Sequence, residues 1–328
     1  MIIPEYWAEA RVQRPRKKGD SQVTVRRFGW SLTSQAEAEQ MASERADAAL
    51  KRILGGSPLL RRSEPKVPYN GAEGVPIREE VLTRDGETVI TRNSYGAHCL
   101  NTPNVLFADI DYEITPRIRS VAFTAFMLMI LGAIAAAWFK SFTIVLVAAF
   151  VVLVVSYPLT VLNKQAYVRA RGGAVKYART RLDAFFAKHR DWHARLYRTP
   201  NGLRVLVLHR TFKPDEPAVK DFFNALGVDP LYAKMCFNQQ CFRARVSPKP
   251  WRMGFAAHLR PRPGVWPVKP EQMNVRNGWI QEYEAKARAF ASCKYLESLG
   301  PKRVDPKAAK VLALHDDLSQ ALSAKPIA

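Results

Sequence analysis

The sequence has few cysteines, and several common catalytic motifs are missing from it. The four cysteines (residues 99, 236, 241 and 293) show no CxxC spacing. They therefore indicate reduced thiols in a cytosolic setting rather than a disulfide framework or a zinc site. No GxSxG, Walker A or GxGxxG motif occurs, which argues against hydrolase, NTPase and dinucleotide-binding classes. The first ten residues, MIIPEYWAEA, lack the long apolar core of a signal peptide.

Acidic residues are also few, and they are unevenly distributed. The chain contains 50 Lys and Arg against 29 Asp and Glu, a net charge of +21. Residues 1–118 hold 17 basic and 16 acidic residues, whereas residues 119–328 hold 33 and 13. The positive charge thus lies almost entirely in the second part. Such a part either faces anionic lipid headgroups or binds nucleic acid or nucleotides, and charge alone does not separate these readings.

Two stretches in the middle of the chain contain no charge at all. Residues 121–139 and 142–162 are 19 and 21 residues long, and only Lys140 and Ser141 separate them. As helices, each would span about 30 Å, the thickness of the hydrocarbon core of a bilayer. A buried hairpin in a soluble protein is the alternative, but soluble helices nearly always keep a polar stripe. The pattern therefore predicts a two-helix transmembrane hairpin and makes the lipid bilayer a partner.

The flanking charges predict how this hairpin is oriented. Lys140 is the only charge at its turn, whereas the outer ends carry Arg117, Arg119, Lys164, Arg169, Arg171 and Lys176. Because positive residues favour the cytoplasmic side, we expect a two-pass protein of the inner or cytoplasmic membrane with both termini in the cytoplasm.

The remaining patterns predict an α+β fold with a mixed sheet domain or domains. Helical periodicity indicates helices over 164–193, 279–299 and 307–324, while 236–264 shows an irregular pattern. Strands before and after the hairpin favour one domain with the hairpin inserted, although two independent domains remain open. The predicted segments are a ββα unit at 1–56, a linker at 57–76, two halves of a cytoplasmic domain at 77–118 and 164–265, the hairpin at 119–163, and C-terminal helices at 266–328.

The clearest site signal is a strand, NVLFADIDYE, that precedes the hairpin. Side chains two apart on a strand share a face, so Asp109, Asp111 and Glu113 project together. Carboxylates so close need compensation, and Mg²⁺ or Mn²⁺ with a bound phosphate would supply it. Pairing with nearby arginines is the structural alternative. The candidate catalytic residues are Asp109 and Asp111, and the candidate metal ligands are these two with Glu113.

This strand, followed by the hairpin Thr199-Pro200-Asn201-Gly202 and a basic segment, resembles the archaeo-eukaryotic primase superfamily. The resemblance covers residues 100–114 and 195–260. It implies that Asp109 and Asp111 hold a metal ion, and we expect such a site to bind nucleoside triphosphate. Because two helices of similar length return the chain to the membrane face it left, we also expect residues 104–113 and 203–209 to lie in one sheet. Arg204 stands about where the family has a nucleotide-contacting His, which departs from the pattern. No third acid matches clearly, with Asp221 and Asp229 as the nearest choices.

A second candidate site is the segment CFRARVSPKPWR. Basic side chains alternate here with aromatic ones, which suits phosphate contact with base stacking, a membrane-interface patch or simply a solvated loop. Its candidate phosphate or nucleic-acid contacts, taken with Arg204, are Arg243, Arg245, Lys249, Trp251 and Arg252.

Two functions remain open from sequence. The first is a membrane-anchored, metal-dependent enzyme of nucleotide chemistry, primase-like and possibly degenerate. The second is a non-enzymatic membrane scaffold whose basic half binds anionic lipid, nucleic acid or a protein partner.

Overall fold

We analysed a computed structural model, which describes residues 1–14, 23–56, 63–64, 75–112, 118–170 and 172–328. Its strands are β1 (Tyr6–Arg14), β2 (Val23–Ser31), β3 (Glu80–Asp85), β4 (Thr88–Arg92), β5 (His98–Thr102), β6 (Phe107–Asp111), β7 (Ala194–Thr199), β8 (Gly202–Val207), β9 (Phe242–Arg245) and β10 (Lys294–Leu299). Its α-helices are α1 (Gln35–Leu54), α2 (Ile118–Phe139), α3 (Phe142–Ala170), α4 (Gly173–Lys188), α5 (Pro217–Leu226), α6 (Pro230–Gln239), α7 (Met273–Ala287) and α8 (Pro306–Ser319). The predicted α+β class is confirmed.

Within the described ranges the strands form three sheets, with orders β1-β2, β3-β4-β5-β9 and β10-β7-β8-β6. All three are antiparallel, so the predicted mixed sheets are wrong. The reason is local: tight turns such as Asp85-Gly86, where Gly86 has a φ of 56°, reverse the chain at once and pair neighbouring strands antiparallel. The prediction that residues 104–113 and 203–209 share a sheet is confirmed, because β6 lies beside β8.

The N-terminal strands β1 and β2 pack against α1. Ser34 caps α1 by accepting a hydrogen bond from the Glu37 backbone N–H, and the buried side chains of this helix are all alanines. Small side chains let the helix lie so close to β2 that a Cβ on Gly29 would overlap the carbonyl oxygen of Ala38. Most of the linker predicted at 57–76 lies outside the described residues, but Ser63 forms a bridge with Arg26.

The chain divides into two compact units, and each is described by itself. The first contains residues Met1–Asp109, Arg190–Pro200 and Arg204–Ala328, and the second contains Ile110–His189 and Asn201–Leu203. Within the second unit, α2 and α3 pack together as a helical hairpin: Gly132 lies against Ala148, and the hydroxyls of Thr124 and Thr160 are 3.0 Å apart.

Only one helix of the described chain is plainly long and apolar enough to cross a membrane. Over Ser120–Phe139 the mean hydropathy is 2.2 and no residue is buried by the rest of the protein. The second helix, α3, reaches the necessary length only if Phe142–Val152 and Val154–Ala170, which are bent by 50°, form one span. Pro158 explains a bend there, because it has no N–H to donate to the carbonyl of residue 154. The two-helix transmembrane hairpin is therefore not confirmed.

Three secondary-structure predictions are wrong. The helix expected over 164–193 is broken at Gly172 and Gly173, whose φ values of 86° and 92° are incompatible with a continuing helix. The helix expected over 279–299 ends at Ala287, and β10 follows and pairs with β7, so the C-terminal segment is not wholly helical. The segment 236–264, expected to be irregular, contains the end of α6 and the strand β9.

Replacing Gly29 with Ala tests the close approach of α1 to β2. The added Cβ would meet backbone atoms of Ala38 and Ala42, which cannot rotate away, so we expect a loss of about 3 kcal/mol in unfolding free energy. Gly278→Ala, in an exposed position of α7 with nothing within 4 Å, should be neutral or stabilise by up to about 1 kcal/mol. Denaturant titration followed by the fluorescence of Trp7 and Trp30 measures the unfolding free energy of both variants. Equal changes in the two variants would contradict the close approach of α1 to β2.

Candidate functional site

An ion pair between Asp109 on β6 and Arg204 on β8 lies at the centre of the candidate site. Arg204 Nε donates to Asp109 Oδ1 at 2.8 Å, and Nη2 donates to Oδ2 at 3.0 Å. The hydrogen bonds from Val207 N to Leu106 O and from Tyr112 N to Asn201 O set the strand register and bring residues 109 and 204 opposite each other. The contact follows from two side chains facing each other across an antiparallel pair.

The two partners differ in exposure. The Arg204 side chain is 2% exposed, whereas that of Asp109 is 39% exposed. Burial acts to raise the pKa of Asp109 and is the largest influence on it, but the charge and hydrogen bonds of Arg204 outweigh it and hold this pKa below its ordinary value. Burial likewise acts to lower the pKa of Arg204, and Asp109 reverses that effect and raises it. Both groups are therefore ionised at neutral pH.

Arg204 is also the start of a polar network that reaches α8. Its Nη1 donates to the carbonyl oxygen of Arg245 at 2.7 Å and lies 3.3 Å from Nε2 of His315. Nδ1 of His315 is 3.0 Å from Oδ1 of Asp316. The Asp316 carboxylate accepts further hydrogen bonds from the hydroxyl of Tyr197 at 2.7 Å and from Nη1 of Arg195 at 2.6 Å. Arg204 is thus paired with Asp109 and Arg195 with Asp316, and His315 lies between the two ion pairs.

A buried cysteine joins the network beside His315. Sγ of Cys293 is 3.9 Å from Nε2 of His315, and both side chains are fully buried. Burial acts to raise the pKa of the Cys293 thiol, but the hydrogen bond and charge of His315, with Arg204, lower it overall. Burial acts to lower the pKa of His315, and the hydrogen bonds to Asp316 and Cys293 raise it overall. All four cysteines are free and buried, so this thiol has no surface from which to attack a substrate.

Two carboxylates of this network already have arginine partners. The carboxylate oxygens of Asp109 and Asp316 face guanidinium groups, which already supply the compensation that a cation would give. Across the described ranges, no group of three or more His, Cys, Asp or Glu side chains could hold a metal. Asp111 ends β6 with an exposed side chain, and Glu113 lies outside the described residues. Asp221 lies on α5, while Asp229 caps α6 by accepting from the Leu231 backbone N–H.

The other predicted contacts are dispersed, although the charge of Arg245, after that of Arg204, also helps to lower the pKa of Asp109. Arg243 on β9 donates from Nη2 to both carboxylate oxygens of Glu79, at 2.6 and 2.7 Å. Arg245 contributes its carbonyl oxygen to Arg204, while its own Nη1 donates to the carbonyl of Ser247. Both arginines therefore stabilise the fold around β9.

Lys249, Trp251 and Arg252 lie on or beside a 3₁₀ helix at Pro250–Met253. The Trp251 side chain is 49% exposed, its ring meets Tyr95 edge to face at 5.2 Å, and Lys249 Nζ lies 5.4 Å from its centroid. This exposed aromatic and basic surface is distinct from the buried pair of Asp109 and Arg204.

Sequence reasoning missed His315, Asp316, Cys293, Tyr197 and Arg195. His315 is 111 residues from Arg204 along the chain and stands in an ordinary amphipathic helix, so nothing local marks it. The one available signal was the adjacent His315-Asp316 pair near the C-terminus.

Replacing Asp109 with Asn leaves the buried Arg204 cation without its charged partner, so we expect a loss of about 3 kcal/mol in unfolding free energy at pH 7. Adding Arg204→Met removes that stranded cation, and the double variant should recover at least half of the loss. Because the pKa of Asp109 is depressed, the ion pair stabilises the protein above the ordinary carboxyl range and is lost as pH falls below about 4. Chemical denaturation across pH measures the unfolding free energy of each variant. A loss in the double variant equal to the sum of the losses in the two single variants would contradict the ion-pair account.

Comparison with protein-family models, curated proteins and solved structures found no match to this chain. The primase resemblance therefore rests only on the short motifs within residues 100–114 and 195–260. Any function has to be argued from the geometry of this chain's own residues.

Proposed function

We propose that this chain is a two-pass membrane protein that acts by binding rather than by catalysis. Residues 119–163 anchor it, both soluble parts face the cytoplasm, and its basic C-terminal half binds anionic groups. The observation that carries this proposal is α2, a helix of mean hydropathy 2.2 over Ser120–Phe139 with none of that stretch buried.

The exposed side chains of α2 support the anchoring role. Phe123, Met129, Leu131 and Ile134 are each between 58% and 65% exposed, and Trp138 is 82% exposed. Removing apolar surface from water is worth about 25 cal/mol per Å², so a helix like this is costly in solution and stable in lipid. Monomeric soluble proteins seldom expose so large a continuous apolar patch. The exposed face of α3, which includes Phe150 and Val154, extends the same surface.

The charge that follows the apolar helices supports the orientation and the binding role. Residues 164–190 contain eight Lys and Arg against one Asp. A basic segment next to a transmembrane helix is attracted to the anionic cytoplasmic leaflet, by about 1 kcal/mol for each residue near the surface. Arg204 already neutralises the charge of Asp109, so this carboxylate is less available to hold a catalytic metal ion. This favours a protein that binds a ligand without converting it.

A metal-dependent, primase-like nucleotide site is the second candidate function. The observation in its favour is that Asp109, on the strand with the Asp-x-Asp motif, keeps 39% of its side chain exposed beside Arg204. Mg²⁺ or Mn²⁺ bound there would have to displace Arg204 from the carboxylate, and the displaced guanidinium could then hold a phosphate. This candidate therefore requires the ion pair to open.

Single-cysteine labelling tests the topology. Since the four native cysteines are buried, an impermeant maleimide should react only with introduced ones. In intact cells we expect labelling of Ser141→Cys at the turn, and labelling of Lys51→Cys and Lys302→Cys only after permeabilisation. Labelling of Lys51→Cys and Lys302→Cys from opposite sides of the membrane would contradict the two-pass arrangement. So would a protein that stays in solution without detergent.

A further inference from the structure

A groove of about 470 Å³ lies at the end of the α2–α3 hairpin that is remote from its turn. It is lined by Ser120, Phe123, Thr124, Thr160, Asn163, Lys164 and Tyr167. All of these side chains come from one compact unit, so the groove is formed by α2 and α3 alone.

The lining combines two chemical characters. Lys164 supplies an ammonium group, Asn163 an amide, and Ser120 and Tyr167 hydroxyls, all of which can donate hydrogen bonds. Phe123, 65% exposed, supplies an apolar wall that continues onto the apolar surface of α2. A ligand that satisfies the whole groove is therefore amphipathic, with an anionic head and a hydrocarbon tail.

Two polar lining residues, Thr124 and Thr160, are bonded within the hairpin. The Thr124 hydroxyl donates to the carbonyl oxygen of Ser120 at 3.0 Å, and the Thr160 hydroxyl lies 2.6 Å from the carbonyl oxygen of Ser156. Lys164 is the cation among the lining residues, so it is the group in this groove that attracts an anion.

The positions of Ser120, Asn163 and Lys164 along the chain match the depth of lipid headgroups. Ser120 immediately precedes the uncharged run 121–139, and Asn163 and Lys164 immediately follow the run 142–162. With both runs inside the hydrocarbon core, these residues meet the headgroup layer, and Tyr167 follows where aromatic residues are enriched.

We propose that this groove binds one anionic phospholipid, with its phosphate held at Lys164 and an acyl chain along Phe123. This rests on the proposed membrane insertion of the hairpin and deepens it, since it names the lipid class that the protein selects. A soluble phosphate compound would leave the Phe123 wall unused, and a zwitterionic lipid would leave the charge of Lys164 less well compensated.

Native mass spectrometry of the full chain released from mixed bilayers of phosphatidylglycerol and phosphatidylcholine tests the proposal. The wild type should retain one phosphatidylglycerol in preference to phosphatidylcholine. Lys164→Gln should reduce that preference about five-fold, the effect of losing one cation at the headgroup layer. Lys140→Gln, the same change at the opposite end of the hairpin, is the matched control and should leave the preference unchanged. Ser120→Leu, which fills the groove without altering charge, should lower retention of the lipid.

The outcomes separate this proposal from the proposed function. A protein that fails to insert into bilayers overturns both. A protein that inserts but retains the two lipids equally, or loses its preference equally with Lys164→Gln and Lys140→Gln, overturns the lipid site alone. Displacement of the bound lipid by inorganic phosphate at low millimolar concentration would assign the groove to a soluble phosphate and also overturn it.

Discussion

The ion pair between Arg204 and Asp109 is the interaction on which the interior of the first unit depends. The Arg204 guanidinium is almost fully buried, and a buried cation is tolerated only when paired and hydrogen-bonded. It satisfies this condition by binding β6 through Asp109, β9 through the carbonyl of Arg245, and α8 through His315. One side chain thus links two sheets and the C-terminal helix. The same pairing uses the carboxylate that a metal-dependent mechanism would need.

The two units differ in how they treat charged and apolar side chains. In the first unit, the buried carboxylates of Glu79 and Asp316 are paired with Arg243 and Arg195. In the second unit, apolar side chains are exposed along α2, and the polar groups gather where the apolar runs end. Under the proposed function, a bilayer would cover the apolar helices and meet the basic residues with anionic headgroups. Anchoring and lipid selection would then both follow from this arrangement of charge.

Local patterns predicted much of the fold, whereas most of the site depends on distant contacts. The β6 and β8 strands were found because alternation and a Pro-Asn-Gly turn mark them. The sequence pointed to a contact between Asp109 and Arg204, because each lies in one of the two segments that resemble primase motifs. The strand β10 was missed because it follows directly on a strongly helical segment and depends on pairing with β7 for its existence. His315 and Asp316 were missed because α8 looks like any amphipathic helix until the sheet beneath it is known.

The central claim is that Arg204, and not a metal ion, compensates the charge of Asp109. Isothermal titration calorimetry of the full chain with a nucleoside triphosphate, with and without Mn²⁺, tests it most directly. The account predicts that Mn²⁺ leaves nucleotide affinity unchanged, and that replacing Asp109 and Asp111 together with Asn does not alter the metal response. Binding that is tightened by Mn²⁺ in the wild type and loses this dependence in the double variant would contradict the account and assign the strand to a catalytic metal site.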